Sequence, residues 1–303
     1  MHITLRQLQY FLAVCQTGTT AQAAQTLHVS QPSISKAVTD LEALWGERLF
    51  IRHHAKGMEL TAAGLARRQQ VQDLLQAAQQ LEQPRTDQPQ GPFRLGFLST
   101  LGPRWVPHIV QQLHTQFPRI ELHLHEGSID TLTEQVAQGV LDAALHYNTG
   151  LWLPQLRLHA IASLAPYALL PAQHPLCQQR SVSLVELAQH PLLLIDLPHS
   201  KQYFLSLFRD AGLHPQVAYA FSSLEMLRSM AAHGHGVALL TTRPLSTVTH
   251  DGQHVVYRRL KGRVVPQDVV LTTHRLHASA LTPWVLQAIE KVFRSTQRSK
   301  TSQ

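Results

Sequence analysis

The stretch SQPSISKAVTDLE, Ser30–Glu42, decides how this chain is read. At about 100° per residue, Ile34, Val38 and Leu41 fall within one narrow arc, as a helix packed along one face requires. Pro32, Lys36 and Thr39 lie opposite that arc, with Ser33, Ser35 and Asp40 on the flanks. Proline is tolerated in a first turn because the N–H it lacks would have no partner there. Ser30 is the expected N-cap. Small side chains let the helix start approach a surface closely, while its free N–H groups and dipole favour an anion. Gln31, the serine hydroxyls and Lys36 can donate to phosphates or to base edges in a major groove. Alone, such a pattern is more often an ordinary surface helix with a polar start, so its neighbours carry the decision.

Upstream, Leu5, Leu8, Leu12 and Cys15 mark one face of a helix that Gly18 ends. TAQAAQTL follows as a short alanine-rich helix capped by Thr19 or Thr20, and His28 and Val29 make a tight turn into Ser30. A short helix, a turn and a second helix form a helix-turn-helix. Downstream, WGERLFIRHHAKGMELT carries β-branched and apolar residues around Gly57, the pattern of a small hairpin. Residues 62–82 then form a long helix capped by Thr61, with Leu65, Val71, Leu74, Leu75, Ala78 and Leu81 as an apolar stripe that a second copy would cover. Pro84, Pro89, Gly91 and Pro92 end it in a linker.

Beyond the linker the pattern changes to strand–helix–strand. FRLGFLS, IELHLHEG and VLDAALHY read as strands, separated by helices around Trp105–Phe117 and Ile129–Gly139. This order implies a parallel sheet with right-handed crossovers. PYALLP opens a second series through PLLLID, VAYAFSS and VALLT, while DVVLTTHR and the helix ALTPWVLQAIEKVFRS read as a return to the first sheet. Two such α/β lobes leave a cleft where small ligands bind.

Composition narrows the function. The 303 residues are 44% hydrophobic with a formal net charge of +7, which favours anionic partners. In residues 1–64, however, Arg6, Lys36, Arg48, Arg52 and Lys56 nearly balance Asp40, Glu42, Glu47 and Glu59, while Lys291, Arg294, Arg298 and Lys300 make a basic tail. Charge alone therefore does not establish DNA binding. No run is apolar enough for a membrane span and the first residues lack an export signal, so a cytoplasmic location is expected, with no membrane partner. Cys15 and Cys177 show no pairing pattern, in keeping with a reducing compartment. The 20 histidines fit no zinc-ligand spacing, and no metal or other cofactor is expected.

Several of these segments together resemble the LysR-type transcriptional regulators: LRQLQYFLAV, AAQTLHVSQPSISKAVTDLE, LWGERLF with Arg52, and LTAAG. A weaker likeness continues through RLGFLST, LHEGS, LDAAL and GHGVALL. The resemblance implies an α/β chain of three parts. A winged helix-turn-helix would occupy residues 1–61, and a dimerising linker helix and hinge residues 62–92. A two-lobed effector domain like the periplasmic binding proteins would occupy residues 93–303, with lobe one at about 93–164 plus 266–295 and lobe two at about 165–265.

By the same resemblance, Gln31, Pro32, Ser33, Ser35, Lys36 and Thr39 would contact DNA from the recognition helix, and Arg52, His53, His54 and Lys56 from the wing. Ser99, Thr100, Ser128, His146, His199, Ser200 and Ser222 would line the effector cleft, with Ser223 beside them. The implied partners are double-stranded promoter DNA, a small-molecule effector, most simply an organic anion, a second copy through the linker helix, a tetramer of such dimers, and RNA polymerase. For each serine a plain helix cap is an equally good reading. One departure stands out: Gly18, Thr19 and Thr20 occupy positions where the family has Gly, Ser and Phe, and Ala21 replaces a hydroxyl cap, so either looser local packing or compensation by Tyr10 or Phe11 is expected.

Two other readings compete. A solute-binding protein could use the same two lobes, but the helix-turn-helix and the missing export signal argue against it. An enzyme would need a catalytic motif, and no G-x-S-x-G, P-loop or G-x-G-x-x-G is present; SMAAHGHG is only superficially glycine-rich.

Overall fold

A computed structural model describes residues 3–53, 57–82, 88–150 and 153–298. The chain divides into two compact units, Met1–Asp87 and Gln88–Gln303.

The first unit runs α1 (Leu5–Thr17), α2 (Thr20–Thr26), α3 (Gln31–Trp45), β1 (Phe50–His53), β2 (Gly57–Leu60) and α4 (Ala62–Glu82). Each start and stop has a local cause. Thr4 and Gln7 form a capping box at α1, which Gly18 ends in the left-handed region at φ 72°. Thr19, not Thr20, caps α2 by accepting from Gln22 N. His28 turns the chain toward α3 with φ 53°, an unusual conformation for a residue with a Cβ. Ser30 has the extended backbone of an N-cap but makes no capping bond; its hydroxyl pairs with Ser33 Oγ at 2.7 Å.

Ile34, Val38 and Leu41 are buried against Leu8, Phe11, Val14, Ala23 and Phe50. Phe11 meets Trp45 and Phe50 edge-on. The antiparallel hairpin β1–β2 pairs Phe50 with Leu60, and Met58 N donates to Gly18 O at 2.7 Å, which ties the wing to the end of α1. The stripe on α4 is divided: Val71 and Leu75 pack into this core, whereas Leu65 and Leu74 are half exposed.

The second unit holds two sheets. The five-stranded one has the order β4 (Ile120–Gly127), β3 (Gly91–Leu98), β5 (Ala143–Tyr147), β13 (Gln267–His274), β6 (Leu156–Leu164). β3 pairs in parallel with β4 and β5, and β13 runs antiparallel between β5 and β6, so the sheet is mixed rather than wholly parallel. β4 is an edge strand, which is why the alternation of Leu122 and Leu124 with His123 and His125 leaves Leu124 exposed. Helices α5 (Gly102–Gln116) and α10 (Thr282–Arg298) pack together over this sheet, with Trp105 stacked on Phe293 at 4.0 Å. α6 (Ile129–Ala137) packs against β3, β5 and β13.

The six-stranded sheet has the order β10 (Val217–Phe221), β9 (Leu192–Ile195), β11 (Val237–Leu240), β7 (Tyr167–Pro171), β12 (Val255–Leu260), β8 (Ser181–Val182). A 3₁₀ turn (Pro175–Gln178) and α7 (Leu184–Leu187) flank β8, while α8 (Pro198–Asp210) and α9 (Leu224–Ala232) cover the parallel part. The chain crosses between sheets twice, from β6 to β7 and from β12 to β13. The sequence places these crossings only approximately. No described helix is long and apolar enough to cross a membrane.

Gly64 shows how closely α4 sits on the first unit: a Cβ there would stand 2.1 Å from Leu49 O. Gly64→Ala is expected to destabilise the protein by about 1–3 kcal/mol, the usual cost of overpacking. Urea denaturation followed by circular dichroism checks this, and an unchanged midpoint would contradict the contact.

Candidate functional site

On α3, Gln31, Pro32, Ser33, Lys36 and Thr39 are exposed, while Ser35 is half-buried. Thr39 Oγ1 donates to Ser35 O at 3.0 Å, back along the helix. Gln31 Nε2 donates to Thr20 Oγ1 at 3.2 Å, so the threonine standing in the family's aromatic position bonds α2 to α3. Ser30 makes no side-chain cap, and the first turn closes through its carbonyl instead, with Ser33 N donating to Ser30 O at 3.0 Å. Arg52 and His53 lie on β1, opposite Met58 and Gly57 in register; their side chains, with His54 and Lys56, fall outside the described residues.

The effector residues separate into groups. Between the two sheets of the second unit lies a cavity of about 10 Å³, enough for roughly one water. Thr100, Tyr147, Ile195, Ser200, Phe204, Leu224, Leu240, Thr241 and Thr242 line it. Thr100 and Ser200 are thus brought together, Thr100 from the turn after β3 and Ser200 from the first turn of α8. Ser128 caps α6 by accepting from Thr131 N, and Ser223 caps α9 in the same way. Ser99 and Ser222 do not line the cavity. His199 Nε2 meets Asp130 Oδ1 at 2.8 Å, a bond from α8 of one lobe to α6 of the other.

His146 is displaced from the cleft by strand alternation. Its neighbour Tyr147 faces the cavity, and His146 lines a separate hollow of about 480 Å³ beside α6 and β6. His146 Nδ1 donates to Tyr147 O at 2.8 Å, so Nε2 accepts from Thr272 Oγ1 at 2.7 Å. Burial pushes its pKa below the usual 6.5, helped by nearby His199 and opposed by the bond to the Tyr147 carbonyl. Burial and the two ring bonds favour the neutral imidazole.

The sequence reading missed Tyr147, Thr241 and Thr242. The Tyr147 hydroxyl is 2.9 Å from Thr241 Oγ1 and 2.7 Å from Thr242 Oγ1, joining the two lobes across the cleft. Thr241 continues to Gln267 at the start of β13, and the Tyr167 hydroxyl donates to Thr242 O. Thr100 Oγ1 is buried beside this cluster and lacks a well-aligned hydrogen-bond partner. A signal was available: Thr241 and Thr242 follow the carboxyl end of a parallel strand, where α/β crevices form. No cluster of three or more His, Cys, Asp or Glu suited to a metal occurs among the described residues.

Residues 5–65 match the family described as bacterial regulatory helix-turn-helix proteins of the lysR family, and residues 86–294 match the LysR substrate binding domain. An uncharacterized HTH-type transcriptional regulator, YvbU of Bacillus subtilis (strain 168), is 27% identical over 285 residues, covering 92% of this chain and 94% of that protein. The hydrogen peroxide-inducible genes activator of Escherichia coli O6:H1 is 30% identical over 245 residues, 78% of this chain and 79% of the relative. Among solved structures, a full-length OxyR variant from Pseudomonas aeruginosa superposes with a TM-score of 0.72 at 27% identity, covering 97% of this chain and 98% of the other.

Two outcomes follow from the geometry. Tyr147→Phe should cost about 1–3 kcal/mol, since it strips the partner from the enclosed Thr242 hydroxyl and leaves Thr241 with Gln267 alone; thermal unfolding measures it, and a neutral change would argue against the bridge. For His146 the unfolded state binds a proton more tightly than the folded one. Its contribution is complete above pH 6.5 and is lost as pH falls below that value, at no more than about 1.4 kcal/mol per pH unit. The stability of His146→Gln should fall less steeply between pH 7 and pH 5. A residual slope remains from His159 and His174, which burial also lowers.

Proposed function

This chain belongs to the LysR family of DNA-binding transcriptional regulators, and from that premise we propose how its residues divide the work. The exposed face of α3 reads promoter DNA in the major groove. The observation that carries this is the segregation of α3: Ile34, Val38 and Leu41 are buried, while Gln31, Pro32, Ser33, Lys36 and Thr39 face outward beside an uncapped N-terminus. Lys36 neutralises a phosphate, and Gln31, positioned by Thr20, offers its amide to a base edge. The wing residues Arg52, His53 and Lys56 add backbone contacts. Lys36→Ala is expected to weaken promoter binding with a shallower salt dependence, and Gln31→Ala to relax sequence preference. Footprinting over a salt series tests both, and unchanged footprints would remove α3 from the interface.

The effector acts at the cleft between the lobes. Thr100, Tyr147, Ser200, Thr241 and Thr242 give it a wall of neutral hydroxyls, and the first turn of α8 adds backbone N–H groups. Such a lining suits a compact molecule with several hydrogen-bonding oxygens, an organic anion included. Because the cavity holds about 10 Å³, a larger effector enters by displacing the Tyr147 hydroxyl from Thr241 and Thr242. Exposed Leu74 on α4 supplies a surface for a second copy, and dimers of that kind assemble into a tetramer at the promoter. Contact with RNA polymerase belongs to the same reading. So do a cytoplasmic location and the absence of enzymatic turnover.

The response to peroxide in one relative's name does not carry over in this reading. Peroxide oxidises thiolates, and burial pushes Cys15 up to about 12 and raises Cys177 as well. Micromolar peroxide should leave the footprint unchanged. A footprint shift that disappears in Cys177→Ser would overturn this reading.

A further inference from the structure

The geometry points to a second, separate anion-binding site in the second unit, built from arginines around the 3₁₀ turn and β12 and suited to a small multivalent oxyanion. A cavity of about 390 Å³ there is lined by Arg180, Arg243, Arg258 and Arg259, with Tyr167 and Tyr257 among its walls. That volume lies in the range of small-molecule pockets. None of its lining residues is shared with the cavity between the lobes.

Four arginines border one hollow, Arg180, Arg243 and Arg259 exposed and Arg258 half-buried, and their like charges repel unless counter-charge is near. The lining contains no carboxylate. Ion pairs among the described residues of this unit use other cations: Arg94, Lys201, Arg209, Arg228, Lys261 and Arg294, with His199 and His233. Carboxylates on neighbouring elements are already engaged, Glu186 by Ser183, Gln179 and Lys261, and Glu225 by Arg228.

Two of the arginines, Arg258 and Arg243, are also held in place. Arg258 donates to the carbonyls of Tyr257 and Cys177, yet its buried Nε has no hydrogen-bond partner. Arg243 lies over the Tyr257 ring at 4.8 Å, and Tyr257 meets Tyr167 edge-on. The two tyrosine hydroxyls are spent on Ser246 O and Thr242 O, so they anchor the floor. Arg180 and Arg259 are exposed at the rim and free to close on a ligand. Guanidinium forks bind phosphate and carboxylate oxygens in pairs, and several forks around one hollow favour two or more negative charges on a small body.

The test uses the full-length protein, with thermal shift and calorimetric titration of sodium pyrophosphate and sodium citrate at constant ionic strength, sodium chloride being the reference. We expect saturable binding of at least one anion, weakened at least tenfold in Arg180→Ala/Arg259→Ala and unchanged in Thr100→Val. Pyrophosphate binding alone assigns the phosphate class, and citrate alone the polycarboxylate class. Equal binding by the double variant, or loss only in Thr100→Val, would overturn the site, the latter moving the anion to the cleft. Protection by heparin with neither small anion bound would also overturn it, in favour of a macromolecular polyanion. The circular dichroism of the double variant should match the parent, since both substituted side chains are exposed. The outcome is independent of the effector reading, which Thr100→Val probes separately.

Discussion

The hydroxyl of Tyr147 has to find a partner away from water, and both of the partners it finds belong to the opposite lobe. Burying such a group unpaired would cost more than most single contacts contribute. The constraint therefore holds the lobes at one separation, closes the space between them to about the size of a water molecule, and makes Thr241 and Thr242 part of the site. In the proposed reading, the protein's own side chain fills this cleft until an effector competes for the same threonines. The energy available for a conformational change is then the difference between two sets of hydrogen bonds, which is small enough for a modest ligand to reverse.

The first unit solves another problem, that of presenting polar groups on a helix that is also a core element. Ile34, Val38 and Leu41 commit one side of α3 to the interior and thereby orient every residue on the other side. Ser30 and Ser33 pair through their hydroxyls, while Ser33 N donates to the Ser30 carbonyl. Thr20 is the instructive departure. In place of an aromatic it offers a hydroxyl to Gln31, exchanging packing for a hydrogen bond that steadies a residue facing outward.

Histidine and arginine divide along physical lines. His146 is enclosed, with both ring nitrogens bonded, and works as a neutral bracket between β5 and β13. The arginines of the second hollow line a wall that contains no carboxylate.

The two lobes and the winged helix-turn-helix were legible in the sequence because periodicity and turn residues are local: Gly18, Thr19, Gly46 and the Ile34–Val38–Leu41 arc act within a few residues of themselves. Thr100 and Ser200 were legible as members of a strand end and a helix start. What only the tertiary structure decided was which side of β5 faces the cleft, since alternation along a strand names two faces without saying which is inward. That choice exchanged His146 for Tyr147. The antiparallel return of β13 and the meeting of Tyr147 with Thr241 and Thr242 were decided the same way, by segments about a hundred residues apart, whose contact no local pattern encodes.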